Sequence, residues 1–491
     1  MQRRDRLLLS QIIDNPARDV DVGGITADSR AVRENFIYAA LPGSKTHGRD
    51  YIGDALMHGA GVIVAEHGTK LPEGQDAVLI ETDNARLTLA KMAARFYGKQ
   101  PETIVAVTGT SGKTSTVSFT QQLWSLCGVP MAASLGTLGV RAPGLSRYGS
   151  LTTPDTVSLH AELADLASVG ITHLAMEASS HGLDQFRLDG VKIKAAAYTN
   201  LSRDHLDYHP TMEDYFQAKS RLFTDLLIDG GTAVLNADDE YFGRIEAICK
   251  QRNLRVLSYG ENGADIRLAE RALQPHGQML KLSVLGEDYE VLLPLVGKFQ
   301  TMNALCALGL VLSEGGEASM IVPQLAQLRG VPGRLEQVVG HPAGAGVYVD
   351  YAHKPGALEA VLNTLRPHTD GKLVCLFGCG GNRDAGKRPI MGRISAGLAD
   401  VTIVTDDNPR SEDAQTIRHA ILEGAPDAVE IGGRRDAIRY AIQNLNEGDI
   451  LVIAGKGHEQ GQIVGDIVEP FDDVAEAEQA INDLLNKKLK A

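Results

Sequence analysis

The chain has few cysteines, no excess of positive charge and no apolar run long enough to cross a membrane. Five cysteines among 491 residues are few and odd in number, which is typical of a reduced, cytoplasmic protein. Cys375 and Cys379 lack a second pair to complete a zinc site, so we expect buried thiols. The net charge of −14 excludes the basic footprint of a nucleic-acid-binding protein. Ser10 and Gln11 interrupt the leucines near the N-terminus, so no signal peptide is expected.

Length and alternation indicate the domain organisation. The chain is too long for one hydrophobic core and predicts about three domains. We place them at 1–85, 86–329 and 330–491, because a turn rich in glycine and proline begins at Gly330. The last segment alternates apolar strand patterns with helical patterns, which predicts a doubly wound, mostly parallel, Rossmann-like sheet. Such sheets bind ligands beyond the carboxyl ends of their strands.

The strongest chemical signal is the stretch 107–115, of sequence VTGTSGKTS. An apolar, β-branched run at 103–107 precedes it and predicts a buried strand, and apolar residues at helical spacing follow over 114–127. Strand, glycine loop and helix in this order are typical of a phosphate-binding loop, in which Lys113 reaches the outer phosphates and the next hydroxyl holds Mg²⁺. A valine stands where such loops usually have their first glycine, so Gly109 must supply the turn.

Other polar residues follow the predicted strands. Glu177 ends one of them, and a carboxylate at that place suits Mg²⁺. The segment 200–209 is dense in metal-ligating and proton-carrying side chains, although it is equally consistent with a solvated loop. Lys219 lies in a helical pattern that, taken alone, favours a surface lysine. Asp350 is a candidate for a ribose hydroxyl or a phosphate-linked water, and Arg334 is a candidate phosphate clamp.

The third segment has residues suited to an amino acid. The stretch 407–410, of sequence DNPR, combines a rigid turn with a guanidinium, the group that grips a carboxylate bidentately. Arg383 and Glu459 follow neighbouring strands. Two arginines with a glutamate fit a ligand that carries both carboxylate and ammonium groups. A surface ion-pair network would explain the same residues.

Taken in order, these segments resemble the Mur ligase family over essentially the whole chain. The motifs that carry the resemblance are TGTSGKTS (108–115), LTTPD (151–155), MEASSHGLDQFR (176–187), TNLSRDHLDYH (199–209), YFQAK (215–219), NADD (236–239), GKFQTMNALCA (297–307), GVPGRLE (330–336), DYAHKPGAL (350–358), FGCGGNRD (377–384), TDDNPR (405–410) and AGKGHE (454–459). Any one of them is weak, but together in this order they are highly specific.

The resemblance implies a three-domain α/β fold, with a central P-loop ATPase domain on a parallel sheet and a C-terminal doubly wound Rossmann-like domain. It implies ATP and Mg²⁺, with the metal held by Thr114, Glu177 and a carbamylated Lys219. The catalytic residues it implies are Lys113, Glu177, His205 and Lys219. The ATP-binding residues it implies are Gly109, Thr110, Ser111, Gly112, Lys113, Thr114, Ser115, Asn303, Arg334 and Asp350.

Two further groups of residues are implied for the other substrates. Those for a UDP-N-acetylmuramoyl dipeptide are Ala27, Ser29, Ser44, Lys45, Thr46, Thr152, Thr153, Ser179, Gln185 and Arg187. Those for meso-diaminopimelate are Arg383, Asp407, Asn408, Pro409, Arg410, Gly455 and Glu459.

The activity that the resemblance implies is ATP-dependent amide-bond formation between these two substrates through an acyl phosphate, in peptidoglycan precursor synthesis. A cytoplasmic monomer is expected, without nucleic-acid partners or membrane insertion. Three alternatives stay open: the same reaction with L-lysine, a ligase of the folate-polyglutamate type, and a nucleotide-regulated binding protein without catalysis. The turn at 407–410 favours diaminopimelate, because its second carboxylate needs a cation.

Overall fold

The computed structural model describes residues 7–43, 46–149, 151–206, 208–274 and 277–488, with the backbone alone for 487 and 488. The chain divides into two compact units. The first unit consists of Met1–Arg267, Val284–Gly286 and Asn303–Ile321, and the second of Leu268–Ser283, Glu287–Met302 and Val322–Ala491. Within the described ranges, no helix has the length and hydropathy that crossing a bilayer requires.

The first unit begins with a small parallel sheet covered by helices on both faces. Its elements are β1 (Leu7–Leu8), α1 (Leu9–Ile12), β2 (Asp21–Val22), β3 (Gly24–Thr26), β4 (Phe36–Ala39), α2 (Ile52–Met57), β5 (Ala60–Glu66), β6 (Val78–Thr82) and α3 (Ala85–Tyr97). Strands β3, β4, β5 and β6 pair in parallel in that order. Along β4, Ile37 and Ala39 belong to the core under α3, whereas Tyr38 belongs to the core with α2. Period-two alternation of apolar residues thus fills both faces.

The second sheet of the first unit carries the phosphate-loop signal. The elements from here to the chain's third segment are β7 (Thr103–Thr108), α4 (Lys113–Leu126), β8 (Ala132–Gly136), β9 (Gly139–Ala142), β10 (Leu145–Arg147), α5 (Thr156–Ser168), β11 (His173–Glu177), α6 (Ser180–Asp184), β12 (Ile193–Tyr198), α7 (Met212–Arg221), β13 (Leu227–Asn236), α8 (Phe242–Gln251), β14 (Arg255–Gly260), β15 (Ile266–Gln274), β16 (Gly277–Val284), β17 (Glu287–Leu293), α9 (Lys298–Leu312) and α10 (Ala318–Ile321). Strands β8, β11, β7, β12, β13 and β14 are parallel neighbours in that order. Every residue of β7 is buried, which confirms the strand predicted at 103–107. Because the strands are parallel, the segments after β8, β11, β7 and β12 meet at one edge.

The second unit contains the predicted doubly wound sheet. Its elements after Val322 are β18 (Glu336–Val338), β19 (Gly346–Asp350), α11 (Pro355–Leu365), β20 (Leu373–Phe377), α12 (Lys387–Leu398), β21 (Val401–Val404), α13 (Ala414–Leu422), β22 (Val429–Glu430), α14 (Arg434–Gln443), β23 (Ile450–Ala454), β24 (Gly461–Val464), β25 (Ile467–Pro470) and α15 (Asp473–Lys488). Strands β19, β23, β20, β21 and β22 are parallel in that order, and β18 is antiparallel to β19. Leu358 of α11 and Met391 of α12 lie in the core on one face, and Ile438 of α14 and Ile481 of α15 in the core on the other. The α/β fold with parallel sheets is therefore confirmed.

The structure confirms the predicted environment of two cysteines and differs from the sequence pattern at a third. Cys375 and Cys379 are buried free thiols, as predicted, and burial raises the pKa of Cys375 to about 12. Cys127 is the last residue of the apolar helical pattern predicted over 114–127, and here the structure differs from the pattern. The helix ends at Leu126, and Cys127 is exposed at its C-terminus.

A fully buried ion pair joins two helices of the second unit. Arg434 of α14 donates from Nε and Nη2 to the two carboxylate oxygens of Asp473, both at 2.7 Å, and both side chains are fully buried. Arg434→Met should lower the free energy of unfolding of this unit by about 3–5 kcal/mol, because Asp473 would be left buried and unpaired. Arg435→Met is the matched control on the same helix, since Arg435 pairs with Glu476 but is half exposed, and it should cost at most about 1 kcal/mol. Equal shifts of the two variants in thermal unfolding would contradict the assignment.

Candidate active site

The predicted phosphate loop, residues 109–115, has the backbone shape that close approach of a phosphate requires. Gly109 and Gly112 have φ of +147° and +89°, which side-chain-bearing residues rarely adopt. A Cβ at Gly109 would overlap Thr199, and one at Gly112 would overlap the side-chain oxygen of Asn303. Helix α4 follows directly, so its N-terminal N–H groups point toward the loop. The loop and Asn303, both predicted for ATP, are thus in contact.

Lys113 lies back across the phosphate loop. Its Nζ donates to the carbonyl oxygens of Gly109 at 2.7 Å and of Thr110 at 2.9 Å. The side chain therefore holds its charge at the loop itself, within reach of any anion that the loop binds.

The segment that follows β12 fastens the loop. Thr110 N donates to Asn200 O at 2.8 Å, and Ser111 N donates to Asn200 Oδ1 at 3.0 Å. Ser202 N donates to Thr110 Oγ1 at 3.0 Å, and Thr199 Oγ1 donates to Ser111 O at 2.7 Å. At the start of 200–209, Asn200 and the exposed Ser202 therefore contribute hydrogen bonds that hold the phosphate loop in shape.

Lys219 is buried against the phosphate loop, so the surface lysine favoured by its helical pattern is wrong. Only 1% of the residue is exposed, and its Nζ donates to Gly109 O at 2.8 Å. The Nζ also lies 4.5 Å from the ring centre of Tyr215, one turn earlier on α7. Burial, and secondly the charge of Lys113, holds the pKa of Lys219 well below its usual value. The same two causes make the charged form of this amine less favourable than that of a solvent-exposed lysine.

Glu177 ends β11 in register with Val107 of β7, two residues before Gly109. The carboxylate is buried, and Thr137 donates to it from its backbone N at 2.8 Å and from its hydroxyl at 3.3 Å. The sequence reasoning did not identify Thr137. Its position directly after β8, the strand beside β11, is the signal that could have found it.

Five residues predicted to bind the UDP-substrate belong to one hydrogen-bonded network. Ser179 N donates to Thr153 Oγ1 at 3.1 Å, and Arg187 donates to Thr153 O at 2.8 Å and to Gln185 Oε1 at 2.7 Å. The Thr152 hydroxyl is hydrogen-bonded at 3.1 Å to the hydroxyl of Thr137, the residue that donates to Glu177. The network therefore continues directly into the Glu177 environment.

His205 belongs to a cluster of rings between α6 and α7. Its ring centre lies 5.1 Å from that of His181 and 6.1 Å from that of Tyr215, the residue whose ring contacts the Lys219 amine. Tyr208 lies 4.0 Å from His181, and His209 lies 5.2 Å from Tyr215. Burial lowers the pKa of His209, so the neutral imidazole is favoured within the cluster.

The predicted residues of the N-terminal segment follow adjacent parallel strands. Ala27 and Ser29 come after β3, where Asp28 accepts a hydrogen bond from Arg30 N and caps the turn. Thr46 follows β4 and accepts a hydrogen bond from a backbone N–H through its carbonyl. Two other predicted residues of this segment, Ser44 and Lys45, lie outside the described residues.

In the second unit, Asp350 is buried at the end of β19. Its two carboxylate oxygens accept the backbone N–H groups of Leu335 and Ala352, both at 2.8 Å, and burial raises its pKa. Arg334 lies with its guanidinium 4.9 Å from the ring centre of Tyr351. Asp350 thus fixes the backbone directly after Arg334 and directly after Tyr351.

The residues predicted for an amino acid surround the ends of β20, β21 and β23. Arg410 has φ of +54°, and its Nη1 donates to Gly381 O at 2.9 Å. Asn408 is buried and donates to Glu459 Oε2 at 2.9 Å. Arg383 is exposed and donates to the carbonyl of its own neighbour. Pro409 and Gly455 are buried beside them.

The donor set of the first unit suits a hard cation. Glu177 supplies a buried carboxylate, and Thr114 supplies a hydroxyl at the first turn of α4. No group of three or more His, Cys, Asp and Glu side chains converges on a metal position in the described part of the chain. That finding is compatible with the predicted ligands, because only one of them is an unmodified carboxylate.

Comparisons with known proteins agree with this P-loop α/β arrangement. Three family models match the chain: the catalytic domain of the Mur ligase family at 21–97, the Mur ligase middle domain at 107–311 and the Mur ligase glutamate ligase domain at 333–457. The UDP-N-acetylmuramoyl-L-alanyl-D-glutamate--2,6-diaminopimelate ligase of Agrobacterium fabrum is 50% identical over 483 residues, 98% of this chain and 97% of that protein. The protein of the same name from Rhizobium meliloti is 52% identical over 476 residues, 97% of each. The chain therefore belongs to the Mur ligase family.

Solved structures extend the comparison. The structure of a UDP-N-acetylmuramoyl-L-alanyl-D-glutamate--2,6-diaminopimelate ligase has a TM-score of 0.74 and 33% identity, and the match covers 98% of this chain and 100% of that one. The Mycobacterium tuberculosis folylpolyglutamate synthase complexed with ADP and AMPPCP has a TM-score of 0.60 at 19% identity, with 82% of this chain and 94% of that one covered. At that identity, the second likeness is one of fold.

Proposed function

We propose that this chain is an ATP-dependent ligase that joins meso-diaminopimelate to UDP-N-acetylmuramoyl-L-alanyl-D-glutamate by an amide bond, in peptidoglycan precursor synthesis. The observation that carries the proposal is identity of about half the residues with ligases of that name over nearly the full length of both proteins. The phosphate loop, with two lysine amines on one of its carbonyls, supports it. We further propose that the protein acts in the cytoplasm as a monomer.

The division of labour follows the three proposed domains, 1–85, 86–329 and 330–491. The first would bind the UDP group through Ala27, Ser29 and the loop that includes Thr46. The second would hold ATP on residues 109–115 and Asn303, and we also propose Arg334 and Asp350 as ATP-binding residues. The third would bind the amino acid.

Activation of the glutamyl carboxylate is the chemical problem that these residues address, because a carboxylate has a poor leaving group. ATP supplies a phosphoryl group, which converts the carboxylate to an acyl phosphate with release of ADP, and the incoming amine then displaces phosphate. Lys113 would offset the repulsion between the triphosphate and the carboxylate at the loop. Thr152, Thr153 and Arg187 would orient the dipeptide so that its carboxylate faces the loop, and orientation lowers the barrier without new bonds.

Mg²⁺ fits the donor set described above, and we propose Thr114, Glu177 and Lys219 as the residues that hold it. When bound, it would neutralise phosphate charge. A protonated lysine would repel a cation, but burial lowers the pKa of Lys219 and so disfavours its protonated form. Attack of that amine on CO₂ forms an N–C bond and releases one proton, so the product is an anionic carbamate with two hard oxygen atoms. Thr137 would keep Glu177 oriented by donating two hydrogen bonds to its carboxylate.

The experiment that tests the proposed function is phosphate release from ATP in the presence of the UDP-dipeptide and one amino acid at a time. Release with meso-diaminopimelate, and at least about tenfold lower kcat/KM with L-lysine, is expected because a distal carboxylate would be paired with a cation. Preference for L-lysine would favour the first alternative. Release with a folate and glutamate instead would favour the second, and no release with any acceptor would favour a binding protein.

Arg410 should govern the choice of amino acid. We expect Arg410→Ala to lower kcat/KM for meso-diaminopimelate, through a higher KM or a slower turnover. The loss should correspond to about 2 kcal/mol or more, because the distal carboxylate would lose its cation. The KM for ATP should change little. Arg435→Met, on the surface of α14, serves as the control that leaves both constants unchanged. An equal loss of ATP affinity in Arg410→Ala would assign Arg410 to the nucleotide or to the fold instead.

A further inference from the structure

A buried lysine that the proposed function does not use lies in the turn after β23. Lys456 has no exposed surface. It is flanked by Gly455 and Gly457, which have φ of +114° and +56°. A Cβ at Gly455 would lie 2.8 Å from Asp407 Oδ2, and one at Gly457 would lie 2.8 Å from the Cβ of Tyr351. The close packing of both glycines directs the intervening lysine into the protein.

The Lys456 amine lies behind two residues of the proposed amino-acid site. Its Nζ donates to Asn408 Oδ1 at 3.0 Å and lies 3.4 Å from Glu459 Oε2. Asn408 Oδ1 also accepts the backbone N–H of Ile463 at 2.9 Å, and its Nδ2 donates to Glu459 Oε2 at 2.9 Å. Two donors on one side and a carboxylate on the other leave the Asn408 amide a single favourable orientation.

The ion pair is asymmetric. The Lys456 side chain is fully buried, whereas 36% of the Glu459 side chain is exposed. Oε2 of Glu459 accepts the hydrogen bonds from both Lys456 and Asn408. Burial of an ion pair is weak evidence for a purely stabilising role, because the cost of desolvating the charges offsets their attraction. A cation behind a partly exposed carboxylate is instead the arrangement that holds a ligand-binding group in place.

The hairpin of β24 and β25 completes the support. Arg410 N donates to Ile463 O at 3.0 Å, and Gly465 N donates to Arg410 O at 2.7 Å. Gln462 Nε2 donates to Asp407 O at 2.7 Å. Since Ile463 also binds Asn408, the turn at 407–410 is held by the hairpin on one side and by Lys456 on the other.

We propose that Lys456 is a positioning residue for the amino-acid substrate, acting through Asn408 and Glu459. This inference rests on the proposed function, because it takes these two residues as contacts of the amino acid. The phosphate loop and the residues proposed for the UDP-dipeptide belong to the first unit, whereas Lys456 belongs to the second. The effect of removing it should therefore fall on the amino acid alone.

The test is a double-mutant cycle on the full-length protein with Lys456→Met, Asn408→Ala and the double variant. Lys456→Met should raise the KM for meso-diaminopimelate about 10- to 100-fold, because Asn408 and Glu459 lose a buried donor. The KM values for ATP and the UDP-dipeptide should stay within about twofold. The double variant should be much less impaired than the product of the two single effects, since both act through one unit. Lys372→Met, an exposed lysine of the same unit, is the control.

The possible outcomes separate cleanly. An unchanged KM for the amino acid, or effects that simply multiply, would overturn the positioning role while leaving the ligase assignment intact. A wild-type protein that releases no phosphate with meso-diaminopimelate would refute the proposed function itself, whatever Lys456 does. If Lys456→Met does not accumulate as folded protein, Lys456→Leu, which also removes the donor, replaces it in the cycle, and the same outcomes apply.

Discussion

Lys113→Ala should abolish ligation and leave the fold intact. In the structure, the Lys113 amine bonds to carbonyl oxygens of its own loop, and the helix that follows buries Val117, Leu123 and Trp124 independently of it. Its removal should leave the charge of the transferred phosphoryl group uncompensated. We expect turnover to fall about 10³-fold or more, which is the scale for losing a preorganised electrostatic contact together with a phosphate ligand.

Phosphate release and circular dichroism decide this prediction together. Lys192→Ala, at an exposed position outside the site, is the matched control and should keep full activity. A Lys113→Ala protein that is folded and turns over at a near-normal rate would remove the basis for assigning residues 109–115 to ATP.

Lys219→Ala should also lose activity, and short carboxylates should restore part of it. The alanine leaves a space next to Gly109 where the proposed carbamate would lie, and acetate or propionate can place a carboxylate there. We expect a loss of about 10²-fold or more, with recovery that rises with carboxylate concentration. A high-resolution density map of the wild-type protein should show extra density beyond Nζ.

Stability measurements distinguish a functional role for Lys219 from a structural one. The folded state holds the pKa of Lys219 below its unfolded value, so the unfolded chain binds more protons and stability is lost as pH falls from the unfolded pKa toward the folded one. Lys219→Met removes this penalty and should not lower the thermal midpoint at neutral pH, although it should be inactive. An active Lys219→Met protein, or one that unfolds much earlier than wild type, would count against the carbamate.

The local features of this fold were predictable from particular residues. The run at 103–107 is entirely apolar or β-branched, and the structure buries all of it in the middle of a parallel sheet. The alternation after Gly330 likewise predicted the parallel strands β19 to β23. These predictions succeed because a strand buried on both faces needs an uninterrupted apolar sequence, whatever its neighbours are.

Local sequence patterns did not predict the functional contacts that join distant segments. Thr137 was missed, and the role of Asn200 was left open, because each acts on a strand end that is remote in sequence. Sequence spacing contains no information on which strand ends become neighbours; the strand order decides it.

The sequence by itself determined the α/β class, the phosphate loop and, through its ordered motifs, the membership of the Mur ligase family. Those conclusions depend on short-range chemistry, in which glycines, a lysine and a helix start lie within a few residues of each other. Only the tertiary structure decided that Lys219 is buried beside Gly109 and that Lys456 lies behind Asn408 and Glu459. A lysine in a polar sequence context looks solvated, and its pKa and its role change only when packing from distant segments removes the water around its amine.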